Sequence, residues 1–403
     1  MSIVSPSRLA TLLVAATTTA VVATPSVPAV AATGVPPTAR VVHRAEISVL
    51  PPIAQVGSTT APSTRAGTVI STTFTPAVNG RPVVLARKHH GRWQVVDRTT
   101  TTRKGVAEFT ARTRARGKAV KYRTTALAYR TLPKVNSAAV WSTTWGAPDF
   151  VDEFDAPALD ARWQHRIQFL NPWGGRSCSR GAPEAAGVES GALRLSVRPD
   201  PTATGLCTPS VAEGSGDSAP TGTYRYRING HVSTEDTADF MYGVAAARMK
   251  FQRARGQHAS FWLQPRGLLK FGTTPWGAEI DVIEYFGEDE RRGGLMTNVY
   301  RPSPEGAKIR SGTHFGSADR FLAGRSDAWW KNYHVFSVEW TPTEYVFRID
   351  GHETWRTSEG ISHHPQFLIL SLLSSDDELA ALGGEDDIDE NAYVDWVQFW
   401  QAG

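Results

Sequence analysis

Three carboxylates stand within six residues at Glu279-Ile280-Asp281-Val282-Ile283-Glu284, in a stretch otherwise made of Ile and Val. Such branched residues favour a pleated strand, on which side chains alternate between two faces. Glu279 and Asp281 therefore share a side, and Ile280 points to the other. Glu284 falls on the wrong parity, and an unbroken strand would bury it unpaired in the apolar layer at considerable cost. A β-bulge at Val282 and Ile283 shifts the alternation by one residue and returns Glu284 to the face of the other two acids. Acids crowded in this way titrate as a coupled set, so one can hold a proton near neutral pH while another stays ionised. That is the requirement for cleaving a glycosidic bond with retention: a carboxylate attacks the anomeric carbon, and a carboxylic acid about 5 Å away protonates the leaving oxygen. The plain alternative is a strand whose acids face solvent. Pro275-Trp276-Gly277 before it and Tyr285-Phe286-Gly287 after it speak against that.

The chain that must position these acids has 403 residues, enough for two domains. Arg8, the apolar run from Leu9 to Ala23, Pro25, Pro28 and the small residues Ala29-Val30-Ala31-Ala32 read as a secretory signal peptide over residues 1–32. The run is shorter than the roughly 20 residues a spanning helix needs, and no later stretch is apolar enough to cross a bilayer. A secreted, extracellular protein is expected. Export makes Cys178 and Cys207, the only two cysteines, a disulfide pair, with two free buried thiols as the alternative. Without a His cluster at ligand spacing, a zinc site has no support.

Charge divides the chain. Residues 37–135 carry a formal balance of +15, and residues 136–403 carry −12. Within the basic region short alternating runs recur around Val69 to Phe74, Pro82 to Arg87, Trp93 to Asp97, Ala107 to Thr110 and Val120 to Thr125, with Asn79-Gly80 and Gly105 as turns. This pattern predicts a β-sandwich over 37–135, whose strand order resembles immunoglobulin-like accessory modules. Its positive surface could hold an anionic cell-wall polymer through salt-sensitive attraction, with a solvated face or plain spacer as the alternative. Nucleic acid is not the expected partner. Residues 136–148, with Ser, Thr, Gly and Pro around Trp141 and Trp145, read as a linker. Beyond them strand-like runs dominate, from Ala192 to Val197 through to Tyr393 to Trp400, and predict a large two-sheet sandwich over 149–403. Asp376 to Asp389 reads as a short helix or loop between the last strands.

At this point the chain resembles glycoside hydrolase family 16, whose hallmark is two glutamates flanking an aspartate on one strand, here in the longer, bulged, laminarinase-like form. Glu153-Phe154-Asp155 with Trp163, Tyr242-Gly243, the segment from Gly256 to Trp262, Gly312-Thr313-His314-Phe315-Gly316, Tyr333-His334 with Glu339-Trp340, Asp350-Gly351 and Val394-Asp395-Trp396-Val397 follow in the family's order. The resemblance implies an all-β, concanavalin-like jelly roll with an open groove. It also implies Glu279 as nucleophile, Glu284 as general acid/base and Asp281 as the residue that tunes the nucleophile. His314 matches a position near the acid/base. Trp276 and Trp262 are the stacking candidates for sugar rings, with Trp330 at a groove edge; Trp340, Trp396 and Trp400 read as core. His258-Ala259 and Ser371 depart from the usual pattern of groove residues, with His258 still among the candidates for substrate contact. A structural calcium on the convex side is implied at Asp395, with Glu153 contributing; catalysis itself needs no cofactor. The expected activity is that of a monomeric retaining endo-glycosidase acting on a β-linked polysaccharide, foremost a β-1,3-glucan. Mixed-linkage glucan, agarose or another galactan as substrate, transglycosylation, and a non-catalytic glycan-binding or wall-attached protein are the alternatives.

Overall fold

The computed structural model describes residues 42–170, 175–209, 222–266, 277–290, 294–303, 307–316, 318–324, 326–379 and 390–402. The expected signal peptide and Trp276 lie outside these residues. Described residues from Val42 onward form one compact unit.

The basic region folds into two small sheets. Strands β1 (Arg44–Ala54), β2 (Gly67–Thr75) and β5 (Val106–Ala111) make one; β3 (Pro82–His89), β4 (Arg92–Thr100) and β6 (Lys121–Ala126) belong to the other. Ile70, Phe74, Val83, Leu85, Phe109 and Tyr122 fill the space between them. The stretch expected as a linker is built into this module instead: Val140 and Trp141 pair with Tyr122 and Lys121, and Trp145 Nε1 donates to the Val49 carbonyl at 2.7 Å. Val140 packs against the module's core and Trp145 against the core shared with the large domain, while Trp141 stays exposed.

The larger region is an all-β jelly-roll sandwich. Its site sheet runs in the order β13 (Lys308–His314), β12 (Leu295–Pro302), β11 (Glu279–Tyr285), β10 (His258–Pro265), β17 (Gln366–Leu373), β8 (Arg227–Ser233). The back sheet follows as β7 (Ala192–Pro199), β18 (Glu390–Gln401), β9 (Gly243–Lys250), β14 (His334–Trp340), β15 (Tyr345–Ile349) and β16 (His352–Thr357), joined to the site sheet where β7 pairs β8. Inward residues of both sheets, among them Phe261, Ile280, Leu370, Phe336 and Val397, make one core. A short helix α1 (Asp376–Leu379) follows β17, and the Cys178–Cys207 disulfide clips the loops beside it with Cα atoms 5.6 Å apart. No helix among the described residues is long and apolar enough to cross a membrane.

The module is packed onto the outer face of the back sheet. Leu50, Ile53, Ala66 and Val69 form a common core with Val244, Ala246, Val335, Trp396 and Trp400. Alternation on β2 makes this possible: Ile70 faces the module's interior and Val69 the large domain. Both tryptophans are core, as expected, but the core they fill is shared between the two sandwiches.

Asp395 and Glu153 lie in this contact, and they do not assemble the oxygen cage that a calcium ion needs. The Arg248 guanidinium, 1 % exposed, pairs with Asp395 Oδ2 and also donates to the carbonyls of Gln55, Gly57 and Thr59. The Ala61 amide donates to both oxygens of Asp395, while Ser63 donates to Glu153 from its amide at 2.9 Å and from its hydroxyl. A fixed cation and main-chain donors occupy the carboxylates, which leaves a divalent ion facing Arg248 rather than free oxygen ligands. Among the described residues no group of three acidic, His or Cys side chains is placed to hold a metal.

Candidate active site

The bulge required by the odd spacing is present. Asp281 pairs with Asn298 and Glu284 with Met296, so Val282 and Ile283 together oppose Thr297. On the other side Trp262 opposes Asp281 and Phe261 opposes Ile283, which leaves Val282 as the extra residue. Val282 and Ile283 are both buried, and Thr297 Oγ1 donates to the carbonyls of Asp281 and Val282 at 3.0 and 2.6 Å, fixing the irregular backbone.

With the alternation shifted, one row of partners crosses the whole sheet: His231, Ser371, Ser260, Glu284, Met296, His314. Directly opposed residues of an antiparallel sheet point to the same face, so His314 shares a face with Glu284, two strands away. Next to this row Asn298 Nδ2 donates to Glu284 Oε2 at 2.6 Å, and Asn298 Oδ1 accepts from Arg310 Nε at 2.6 Å. Gln264 Nε2 donates to Glu279 Oε2 at 2.5 Å. Each glutamate is thus oriented by an amide from a different neighbouring strand. Gly312 opposes Asn298 across the β12–β13 pair, and a β-carbon there would collide with Asn298 Oδ1 and the Thr297 carbonyl. The glycine makes room for the amide that holds Glu284.

A family model described as glycosyl hydrolases family 16 matches residues 206–398, the span that contains all of these groups. Residues 206–398 are assigned to that family by this match. The chain is similar to a β-glucanase of Rhodothermus marinus, 24% identical over 292 residues that make up 66% of this chain and 87% of the relative. It is also similar to the Gram-negative bacteria-binding protein 3 of Drosophila melanogaster, 24% identical over 260 residues, 55% of this chain and 48% of that one. Among solved structures, the laminarinase catalytic domain of Thermotoga maritima MSB8 aligns with a TM-score of 0.47 and 22% identity, over 64% of this chain and 98% of the other.

Burial and mutual repulsion govern the acids of this family 16 domain. Asp281, 4 % exposed, is pushed well above the usual carboxylate range, first by burial and then by the charges of Glu284 and Glu279, against the weaker pull of Lys308 and Arg310. Both effects favour its protonated form. Burial likewise raises Glu284, while His258 and the Asn298 amide draw it back. Tyr300, the partner of Glu279 on β12, is raised by burial and by the acids facing it, so its hydroxyl stays protonated.

The aromatic candidates separate on inspection of their contacts. Trp262 opposes Asp281, stacks on His231 with ring centroids 5.8 Å apart and donates from Nε1 to Ser371 Oγ at 3.1 Å. With Gln164, Arg166, Ser233 and Gln264 it lines a cavity of about 330 Å³ beside Glu279. Ser371, where the family pattern has another residue, therefore holds the indole in place. His231 is neutral, its pKa driven far down by burial and by Arg166 and Arg176. Trp330 donates to Glu288 and lies under Arg253 and Lys331; none of these contacts reaches the three acids. His258 binds Glu378 and stacks on Phe286 rather than standing open in the groove. Gln264, Asn298, Arg310 and Glu378 had no motif to mark them. Only Gln264 carried a signal, lying two residues beyond Trp262 and so on the same strand face.

Proposed function

We propose that the protein is a secreted, retaining endo-glycosidase that cleaves a β-linked polysaccharide, with a β-1,3-glucan of the laminarin type as its foremost substrate. The observation that carries this reading is the bulge, which sets Glu279, Asp281 and Glu284 on one face, each glutamate held by its own amide donor. In the first half-reaction the Glu279 carboxylate attacks the anomeric carbon as the glycosidic C–O bond breaks, and Glu284 gives its proton to the departing oxygen. In the second, Glu284 takes a proton from water as the water oxygen attacks the same carbon and releases Glu279. Burial and the two flanking glutamates favour the protonated form of Asp281, which can share that proton with a neighbouring glutamate. Transfer to a sugar hydroxyl instead of water would follow the same route.

Likeness to the β-glucanase of Rhodothermus marinus supports a β-glucan, and the row of site-face residues across six strands supports binding within a long chain. Agarose or another galactan remains the second choice of substrate. The Drosophila relative is named as a binding protein, which keeps glycan recognition without cleavage as the rival class. Here both glutamates and their amide partners stand, which favours the enzyme. The disulfide favours an oxidising, extracellular location. We assign the basic module a tethering role toward an anionic cell-wall polymer, supported by Lys88 and Arg123 over Trp93 and Lys121 over Trp141 on its outer sheet.

Reducing-sugar release from laminarin, lichenan, agarose and carrageenan tests the reading. Release from laminarin first is expected; none from any of the four would sink the enzymatic assignment. Glu279→Ala and Glu284→Ala should each lower turnover by several orders of magnitude with the fold intact, and azide should rescue the Glu284 variant with a β-glycosyl azide as product.

A further inference from the structure

His258 begins β10, two residues before Ser260, which opposes Glu284. Side chains two apart on a strand share a face, and the register puts His258 opposite Phe286, on which its ring stacks at 5.2 Å between centroids. Glu284 is then the diagonal cross-strand neighbour of His258, a separation that long side chains bridge electrostatically. Helix α1 supplies the second half of the arrangement. Glu378 Oε1 lies 2.6 Å from His258 Nδ1, and its Oε2 accepts from the Ser375 amide at 2.7 Å, so the carboxylate is itself held. The imidazole is 12 % exposed and the carboxylate 8 %.

A retaining enzyme asks one glutamate to give up a proton and later to recover it, so its proton affinity must be neither too high nor too low. Glu284 sits among Glu279, Asp281 and Glu378, and burial adds to their effect in the same direction. Left alone, these would lock the proton on. We propose that the His258–Glu378 pair is a positioning dyad for the acid/base: an imidazolium, anchored at Nδ1 by Glu378, whose charge offsets the surrounding carboxylates and keeps Glu284 able to exchange its proton in both half-reactions. This rests on the assignment of Glu284 as acid/base. The groups that face His258 are Glu378 from α1, Glu284 from β11, Arg176 from the loop before Cys178 and the neutral His231 from β8. Burial disfavours the imidazolium and Arg176 opposes it; the carboxylates of Glu378 and Glu284 outweigh both and raise the pKa of the ring above its ordinary value. No acid in the strand motif hints at this pair, since its halves are 120 residues apart in sequence.

The pH profile of kcat/KM decides it, because its alkaline limb reports loss of the proton from the acid in the free enzyme. His258→Gln keeps polarity and removes the charge; the alkaline limb should move up by about one unit. His258→Lys, which returns a positive charge without the ring, should bring the limb back. An alkaline limb that stays in place in His258→Gln overturns the proposal. Should the Gln variant not fold, imidazole 15N shifts in the intact wild-type protein serve instead: His258 must be cationic at pH 7, and a neutral ring at that pH refutes the dyad. Failure of the underlying assignment looks different, since Glu284→Ala would then retain activity and azide would have nothing to rescue.

Discussion

Asn298 donates from Nδ2 to Glu284 Oε2 at 2.6 Å while its Oδ1 accepts from Arg310 Nε at the same distance. The amide thereby cannot flip without losing a charge-assisted bond from the guanidinium. Its donor end is committed to Glu284, the proposed acid/base, and favours the ionised form of that carboxylate. Asn298→Ala should lower kcat on the order of 10- to 100-fold and raise the alkaline limb of the pH profile, because a bond to the ionised carboxylate is lost. Steady-state kinetics across pH on the variant provide the check; a limb that moves down contradicts this role.

Gly312 is the spacer that admits this amide. A methyl group at that position runs into Asn298 Oδ1 and into main chain. Gly312→Ala should therefore cost about 1–3 kcal/mol from overpacking and reduce turnover toward the level of Asn298→Ala. Combining the two changes should be less than additive if the glycine acts through Asn298.

Arg248 and Asp395 predict how the protein responds to metal. Since a guanidinium already neutralises the carboxylate at the module contact, a strong chelator or added calcium should leave the melting temperature and activity where they were. Arg248→Met leaves a buried carboxylate unpaired and should cost about 3–5 kcal/mol in chemical unfolding. A calcium-dependent rise in the melting temperature of the wild-type protein would contradict this picture.

His334 predicts a pH dependence of stability. Its ring is fully buried, with Nδ1 2.7 Å from Asp350 and Nε2 3.3 Å from Asp327. Burial works against its charge, but the bonds to Asp350 and Asp327 prevail and lift its pKa above the ordinary value of 6.5. A raised value means that the folded state binds this proton more tightly than the unfolded chain. The stabilisation is thus complete below about pH 6.5 and fades as pH climbs through the folded value. Thermal unfolding from pH 6 to 9 should show that decline, and His334→Gln should flatten it.

Much of this was legible in the residues themselves. The odd step from Glu279 to Glu284 demands a bulge for local reasons, since parity is a property of the strand alone. Alternation likewise marked the strands of the module from Val69 to Thr125. What escaped depends on register. Asn298 and Arg310 matter because of which residue each one faces across the sheet, and nothing in their own neighbourhoods marks them. Glu378 is reached only through a loop and helix that bring it back to His258. The Asp395 position matched a calcium pattern, but a distant segment, Gln55 to Ser63, arrived with Arg248 to occupy it. The 136–148 stretch looked like a tether by composition, yet Trp145 and Val140 had apolar surface to cover.

The shared core of Val69, Trp396 and Trp400 also gives the molecule two ends. The module covers the back sheet with its β1–β2–β5 layer, so the sheet holding Trp93, Lys88 and Arg123 faces away from the large domain, and the carboxylates open on the opposite sheet. A polymer gripped at Trp93 would leave the cleft looking outward. Anchored in that way, the enzyme would graze on glycans that pass over the surface it stands on and leave its own mooring uncut.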